Sequence, residues 1–103
     1  MKGNKHDQEK VQMQLLPLDA LYEAAKVMTF GANKYGPNDW KKVKHAKERY
    51  KGALLRHLTE DSKGNKYDPE TGELHLAHML CNAMFILWHD MEETKKKNDK
   101  NRR

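Results

Sequence analysis

The chain has 103 residues and six histidines, 20 Lys+Arg against 15 Asp+Glu, a net charge of +5 and an isoelectric point near 9.3. That length fits one small domain and excludes a second. The single cysteine, Cys81, excludes an internal disulfide framework and a thiolate-rich metal site. No apolar run approaches the about 18 residues of a membrane span, and the N-terminus lacks the apolar stretch of a signal peptide, so the expectation is a cytoplasmic protein without membrane contact.

The charge is uneven. Residues 1–12 carry three lysines and two acids and read as a flexible polar arm. Residues 92–103 carry six basic and three acidic residues and read as a basic disordered tail. Residues 13–91 hold only +1 of the total charge and nearly all of the apolar periodicity, which assigns the folded domain to them. A core of about 80 residues is marginal alone, so completion by homo-oligomerisation is expected.

Three helices are legible in chain order. The first runs from about Leu18 to Tyr35, with Pro17 suited to its first turn, Asp19 at its positive end and Gly36-Pro37 as its stop. The second spans about Ala46 to Asp61, and the third about Glu73 to Glu92, apolar on nearly every side from Leu74 to Met91, as a central buried helix is. Between them, Asp68-Pro69-Glu70-Thr71-Gly72 reads as a structured loop with cap candidates at Asp68 and Thr71. No stretch alternates with period two. The expected fold is an all-α bundle of three main helices.

Within the third helix, His75, His78, Asn82 and His89 fall on one stripe about 60° wide at 100° per residue. Buried polar groups need partners, so this stripe faces something polar. On the second helix, Arg49, Ala53, Arg56 and Glu60 share a similar stripe beside His57, and the guanidinium of Arg56 suits a phosphate or carboxylate. Residues 41–51 hold five lysines, one arginine and one acid, whereas residues 60–73 hold five acids and two lysines. Cations beside carboxylates and imidazoles suit a metal–polyphosphate ligand. His75-x-x-His78 also has helical zinc-ligand spacing, with Glu60, Asp68 or Glu70 available to complete a site, but without cysteines the signal is weak. No nucleic-acid-binding signature accompanies the basic segment, so a nucleic-acid partner is not expected.

These residues belong to blocks with a family likeness. Leu15-Leu16-Pro17, Phe30-Gly31-Ala32-Asn33-Lys34-Tyr35-Gly36 with Trp40, Ala53-Leu54-Leu55-Arg56-His57-Leu58, Asp68-Pro69-Glu70-Thr71-Gly72 and His75-Leu76-Ala77-His78 through Cys81-Asn82 together resemble the phage-type dATP/dGTP diphosphohydrolase family. The resemblance implies an all-α, oligomeric nucleotide pyrophosphohydrolase related to MazG-like enzymes. It would cleave purine (deoxy)nucleoside triphosphates to monophosphate and pyrophosphate with Mg²⁺ or Mn²⁺, and would remodel nucleotide pools during phage growth. The wider superfamily's acidic E-E-x-x-E and E-x-x-D ligands are replaced here, the later pair by His75 and His78.

On that reading Glu60, Asp68 and Glu70 hold the metal, and His75, His78 and Glu60 serve catalysis. Lys34, Tyr35, Trp40, Arg49, Arg56, His57 and Asn82 contact substrate. Two rival readings remain at this point: a non-catalytic phage protein sequestering a cyclic or signalling nucleotide, and a small DNA-binding protein using residues 41–51 and the tail.

Overall fold

The computed structural model describes residues 9–101, which form three helices: α1 (Leu18–Tyr35), α2 (Ala46–Ser62) and α3 (His75–Asn101). Short 3-10 turns at Met13–Leu15 and Asp39–Lys42 flank α1. Among the described residues the only β pairing is the isolated Tyr67–Leu74 bridge, so the fold is all-α. None of these helices is long and apolar enough to cross a membrane.

Local chemistry sets the helix ends. Pro17, with φ fixed at −73°, precedes α1, and the Asp19 carboxylate accepts from the Ala20 N–H. Gly36 stops α1 at φ +105°, a conformation costly for any residue with a Cβ, while its N–H still reaches the Ala32 carbonyl at 2.8 Å. At the end of α2 the Asn65 N–H bonds to the Glu60 carbonyl, which turns the chain back toward α3.

The α2–α3 pair is the main packing unit, and α1 packs on α3. Among the described residues the buried apolar ones are all small: Ala24, Ala46, Ala77 and Cys81. Small side chains let the α1 and α3 backbones approach, and the Cys81 thiol donates to the Ala24 carbonyl at 3.2 Å. Burial pushes that thiol up to about 11, so it stays protonated and unreactive.

Larger side chains gather where the Asp39–Lys42 turn crosses the two long helices. Trp40 stacks on Phe85 at 4.6 Å and meets Trp88 edge-on at 5.1 Å, and Tyr50 tilts against Phe85 at 5.0 Å. The Tyr50 hydroxyl and His89 Nε2 both donate to the Trp40 carbonyl, at 3.2 and 3.0 Å.

Two expectations are corrected here. The helix α3 is central but not buried all round, for Leu76, Leu87 and Met91 are each at least half exposed. It also continues through residues 92–101, which were expected to be a disordered tail. Lysine and glutamate are good helix formers. Lys47 reaches across from α2 to Asp90 and Glu93 at 3.1 and 2.7 Å, and Lys95 pairs with Glu92 at 3.0 Å. The N-terminal arm lies outside the described residues up to residue 8, as do 102 and 103 at the other end.

A chain with so few large buried side chains leaves much apolar surface in water. Leu18, Tyr22, Leu55, Leu76 and Leu87 are all more than half exposed. The radius of gyration is 17.1 Å, against about 13 Å for a compact domain of this length.

Candidate functional site

The antiparallel run of α2 and α3 brings the end of one against the start of the other. His57, one turn before the end of α2, therefore meets His75 and His78 in the first turn of α3. The loop between the helices is pinned beside them. The His75 N–H donates to the Lys66 carbonyl and the Asp68 N–H to the Glu73 carbonyl, at 3.0 and 2.8 Å. Asp68 Oδ1 accepts from the backbone N–H groups of Glu70 and Thr71 at 2.9 and 3.0 Å, an Asx turn that fixes the carboxylate. Gly72 closes the turn at φ +72°.

The result is a cluster of three imidazoles and one carboxylate. His57 and His75 face each other through their Nδ1 atoms at 2.8 Å, and the ring of His78 stacks on that of His57 at 4.4 Å and 10°. The Thr71 hydroxyl shares a proton with His78 Nε2 at 2.7 Å and accepts from the Glu73 N–H. His75 is only 3% exposed, while His57, Asp68 and His78 are half-buried. Burial, and then the neighbouring charge of His78 and His75, push His57 down to about 4. Burial also lowers His78 against the pull of Asp68. Both rings are thus neutral at pH 7 and present lone pairs. Burial alone would raise Asp68, but its backbone donors and the nearby imidazoles outweigh it and keep the carboxylate ionised.

The nominated site residues divide on this geometry. His57, Asp68, His75 and His78 come together. Glu60 and Glu70 stand at the rim, each engaged elsewhere. Glu60 accepts from Asn65 Nδ2 at 3.0 Å and pairs with Lys63 at 3.3 Å, and both hold its carboxyl below the usual range. Glu70 pairs with Lys34, which carries that α1 cation to the cluster's edge and lies over the Tyr35 ring at 5.1 Å. Arg56 is exposed on the turn that carries His57, close enough to bear on that ring's charge. Arg49 is exposed two turns earlier. Asn82 is buried one turn beyond His78. Trp40 sits in the aromatic cluster, and Phe85, its stacking partner, lies about 10 Å along α3 from His78 at 1.5 Å per residue. His89 shares the sequence stripe but is spent on the Trp40 carbonyl.

The metal implied by the resemblance can be set against these donors. Mg²⁺ calls for several oxygen ligands, and Glu60, Asp68 and Glu70 do not supply a converging set. Among the described residues, one group of three places ligand atoms within 4.8 Å of one another: His57, Asp68 and His75. Two nitrogens and one oxygen suit Mn²⁺ or a later first-row ion, not Mg²⁺. Thr71 had been legible only as a cap, and its bond to His78 depends on where the loop lands against α3.

Comparison with known proteins places this geometry in context. A family model described as dATP/dGTP diphosphohydrolase, N-terminal, matches residues 1–100. A protein of Salmonella phage PMBT28 named dATP/dGTP diphosphohydrolase is 40% identical over 88 residues, which are 85% of this chain and 30% of that protein. The chain thus spans under a third of that relative's length. No solved structure matches. The cluster-bearing segments, from His57 through the Asp68 loop to His78, lie within the matched residues, and the chain belongs to the dATP/dGTP diphosphohydrolase N-terminal family.

Proposed function

We propose that this chain hydrolyses purine deoxynucleoside triphosphates at the α–β phosphoanhydride, releasing monophosphate and pyrophosphate. One observation carries the reading. Three clustered imidazoles, of which burial pushes His57 and His78 toward the neutral form, stand with the ionised Asp68 carboxylate between two cations, Lys34 and Arg56, in a chain of this family. The relative's name, dATP/dGTP diphosphohydrolase, supports the substrate class.

In the chemistry, water adds to the α-phosphorus and the bond from that phosphorus to the bridging oxygen breaks. His78 is the group disposed to accept the water's proton, since it is neutral and the Thr71 hydroxyl at 2.7 Å fixes its ring. His75 holds the His57 ring through their Nδ1 contact at 2.8 Å, and the Asx turn holds the Asp68 carboxylate beside them. Lys34 exchanges Glu70 for a phosphate oxygen, and Arg56 meets the outer phosphates, where its planar fork is suited to them. A divalent ion bound here would neutralise phosphate charge. In a host cell the activity would draw down purine deoxynucleotide pools in the cytoplasm.

The test is incubation of the purified chain with dGTP, dATP and dTTP in Mn²⁺, with pyrophosphate as the readout. Release from the purine nucleotides at least about 10-fold above that from dTTP is expected. Recovery of intact nucleotide that nonetheless raises the melting temperature would replace hydrolysis with sequestration.

The exposed leucines of α2 and α3 support a second part of the proposal, that the working form is a homo-oligomer. Light scattering on the eluted protein is expected to give a mass of at least twice 12.1 kDa. A monodisperse monomer at micromolar concentration would remove this part.

A further inference from the structure

We propose that His57, His75 and Asp68 form a single-ion site for a first-row transition metal, in the range Mn²⁺ to Zn²⁺, that rejects Mg²⁺. The inference rests on reading this cluster as the chemical centre, but it concerns what the cluster binds and not what it cleaves.

The geometry argues it first. Two imidazole nitrogens that share one ion at about 2.1 Å, with an angle of 90–109° between them, stand about 3.0–3.4 Å apart. His57 and His75 already hold their Nδ1 atoms 2.8 Å apart, within a few tenths of that bite. In the ion-free chain one ring's Nδ1–H donates to the other's Nδ1 lone pair, and an ion in place of that proton would take both lone pairs and a third ligand as well.

The third ligand is prepared. Among the described residues, the hydrogen bonds to Asp68 all fall on Oδ1, from the N–H groups of Glu70 and Thr71 and the Thr71 hydroxyl. One carboxylate oxygen of Asp68 lies within 4.8 Å of the ligand nitrogens of both histidines, on a carboxylate whose orientation the Asx turn has already set. Little ordering remains when an ion arrives, so affinity is not spent on closing the loop. His75 adds a second sign: the residue is only 3% exposed, and its Nδ1 faces His57.

The donor types decide the ion. Imidazole nitrogen is a borderline ligand that favours ions from Mn²⁺ through Zn²⁺, whereas Mg²⁺ requires near-octahedral oxygen and keeps its waters. Three protein ligands leave at least one position open. That is the pattern of a reactive centre and not of a closed structural site. The half-buried His57 and Asp68 put the open position on the solvent side of the buried His75.

The experiment titrates the chelator-stripped chain with MnCl₂, CoCl₂, ZnCl₂ or MgCl₂. It reads the melting temperature, the ions bound per chain by elemental mass spectrometry, and the visible absorption of bound Co²⁺. The expected result is one Mn²⁺ or Co²⁺ per chain. At about 100 times Kd the melting temperature should rise by at least ~10 °C, with no rise in Mg²⁺. Asp68→Asn keeps an oxygen for the Asx turn and is expected to fold, yet to bind Co²⁺ at least ~10-fold more weakly. His57→Gln serves as a second ligand variant. Equal stabilisation by Mg²⁺, no bound ion, or undiminished binding by both variants overturns the site. Because ion binding is read without substrate, a chain that binds Co²⁺ but leaves dGTP intact keeps this site and loses the hydrolase reading. A chain that cleaves dGTP with Mg²⁺ alone and binds no Co²⁺ does the reverse.

Discussion

His75→Ala is expected to lower pyrophosphate release from dGTP by at least ~10²-fold, the scale of misplacing the groups around the reacting water. His75 is the buried member of the cluster, so every other member is positioned partly against it. Its ring faces His57 Nδ1 at 2.8 Å and its backbone N–H anchors the Asp68 loop through Lys66. The backbone anchor survives the substitution, so the loop should stay in place. The side-chain loss leaves His57 half-buried without its partner, at a cost of about 1–3 kcal/mol. That cost is affordable only if the rest of the fold is intact, so circular dichroism and a melting curve must accompany the rate. A variant that keeps its helicity and loses its rate places the imidazole in the chemistry. A variant that keeps both would remove His75 from it.

Trp40→Ala is the complementary case, with a large effect on stability and a small one on substrate. The indole stacks on Phe85, meets Trp88 edge-on and carries Lys41 above its face at 5.4 Å. Losing those contacts from a partly exposed aromatic is expected to cost about 3 kcal/mol, enough to lower the melting temperature by more than ~10 °C. The Tyr50 and His89 hydrogen bonds end on the backbone carbonyl and are kept. KM for dGTP should change by less than about 2-fold in the fraction that remains folded, and Trp40→Phe should recover most of the stability. A rise in KM with an unchanged melting temperature would instead put Trp40 against the base.

These two residues also show where sequence reading succeeds and where it stops. Helix number and starts were legible because Pro17, Gly36 and the apolar spacing act over a few residues. The Asp68 turn was legible for the same reason. The stripe on the third helix includes His75 and His78, which the structure brings together with His57 and Asp68. It also includes His89, because a helical period gives direction around an axis and not position along it. His89 lies three turns on, beside Trp40 and not beside Asp68.

The convergence of His57 on His75 depends on how far α2 and α3 overlap in their antiparallel packing. Neither helix encodes that alone. Glu60 and Glu70 were reasonable oxygen ligands by charge, yet Asn65 engages one from five residues away and Lys34 the other from 36 residues away. The composition of residues 92–103 predicts disorder, whereas α3 runs on to Asn101. Cross-helix pairing from Lys47 lies 43 residues from Asp90, outside any local window.

The claim that unites these results is that water attacks the nucleotide at the imidazole–carboxylate cluster. The direct measurement is mass spectrometry of the products of dGTP cleaved in heavy-oxygen water by the wild-type chain and by Asp68→Asn, both supplied with Mn²⁺. The account predicts label in the monophosphate, none in the pyrophosphate, and a rate at least ~10-fold lower in a folded Asp68→Asn. Label in the pyrophosphate, or equal rates in the two proteins, would contradict it.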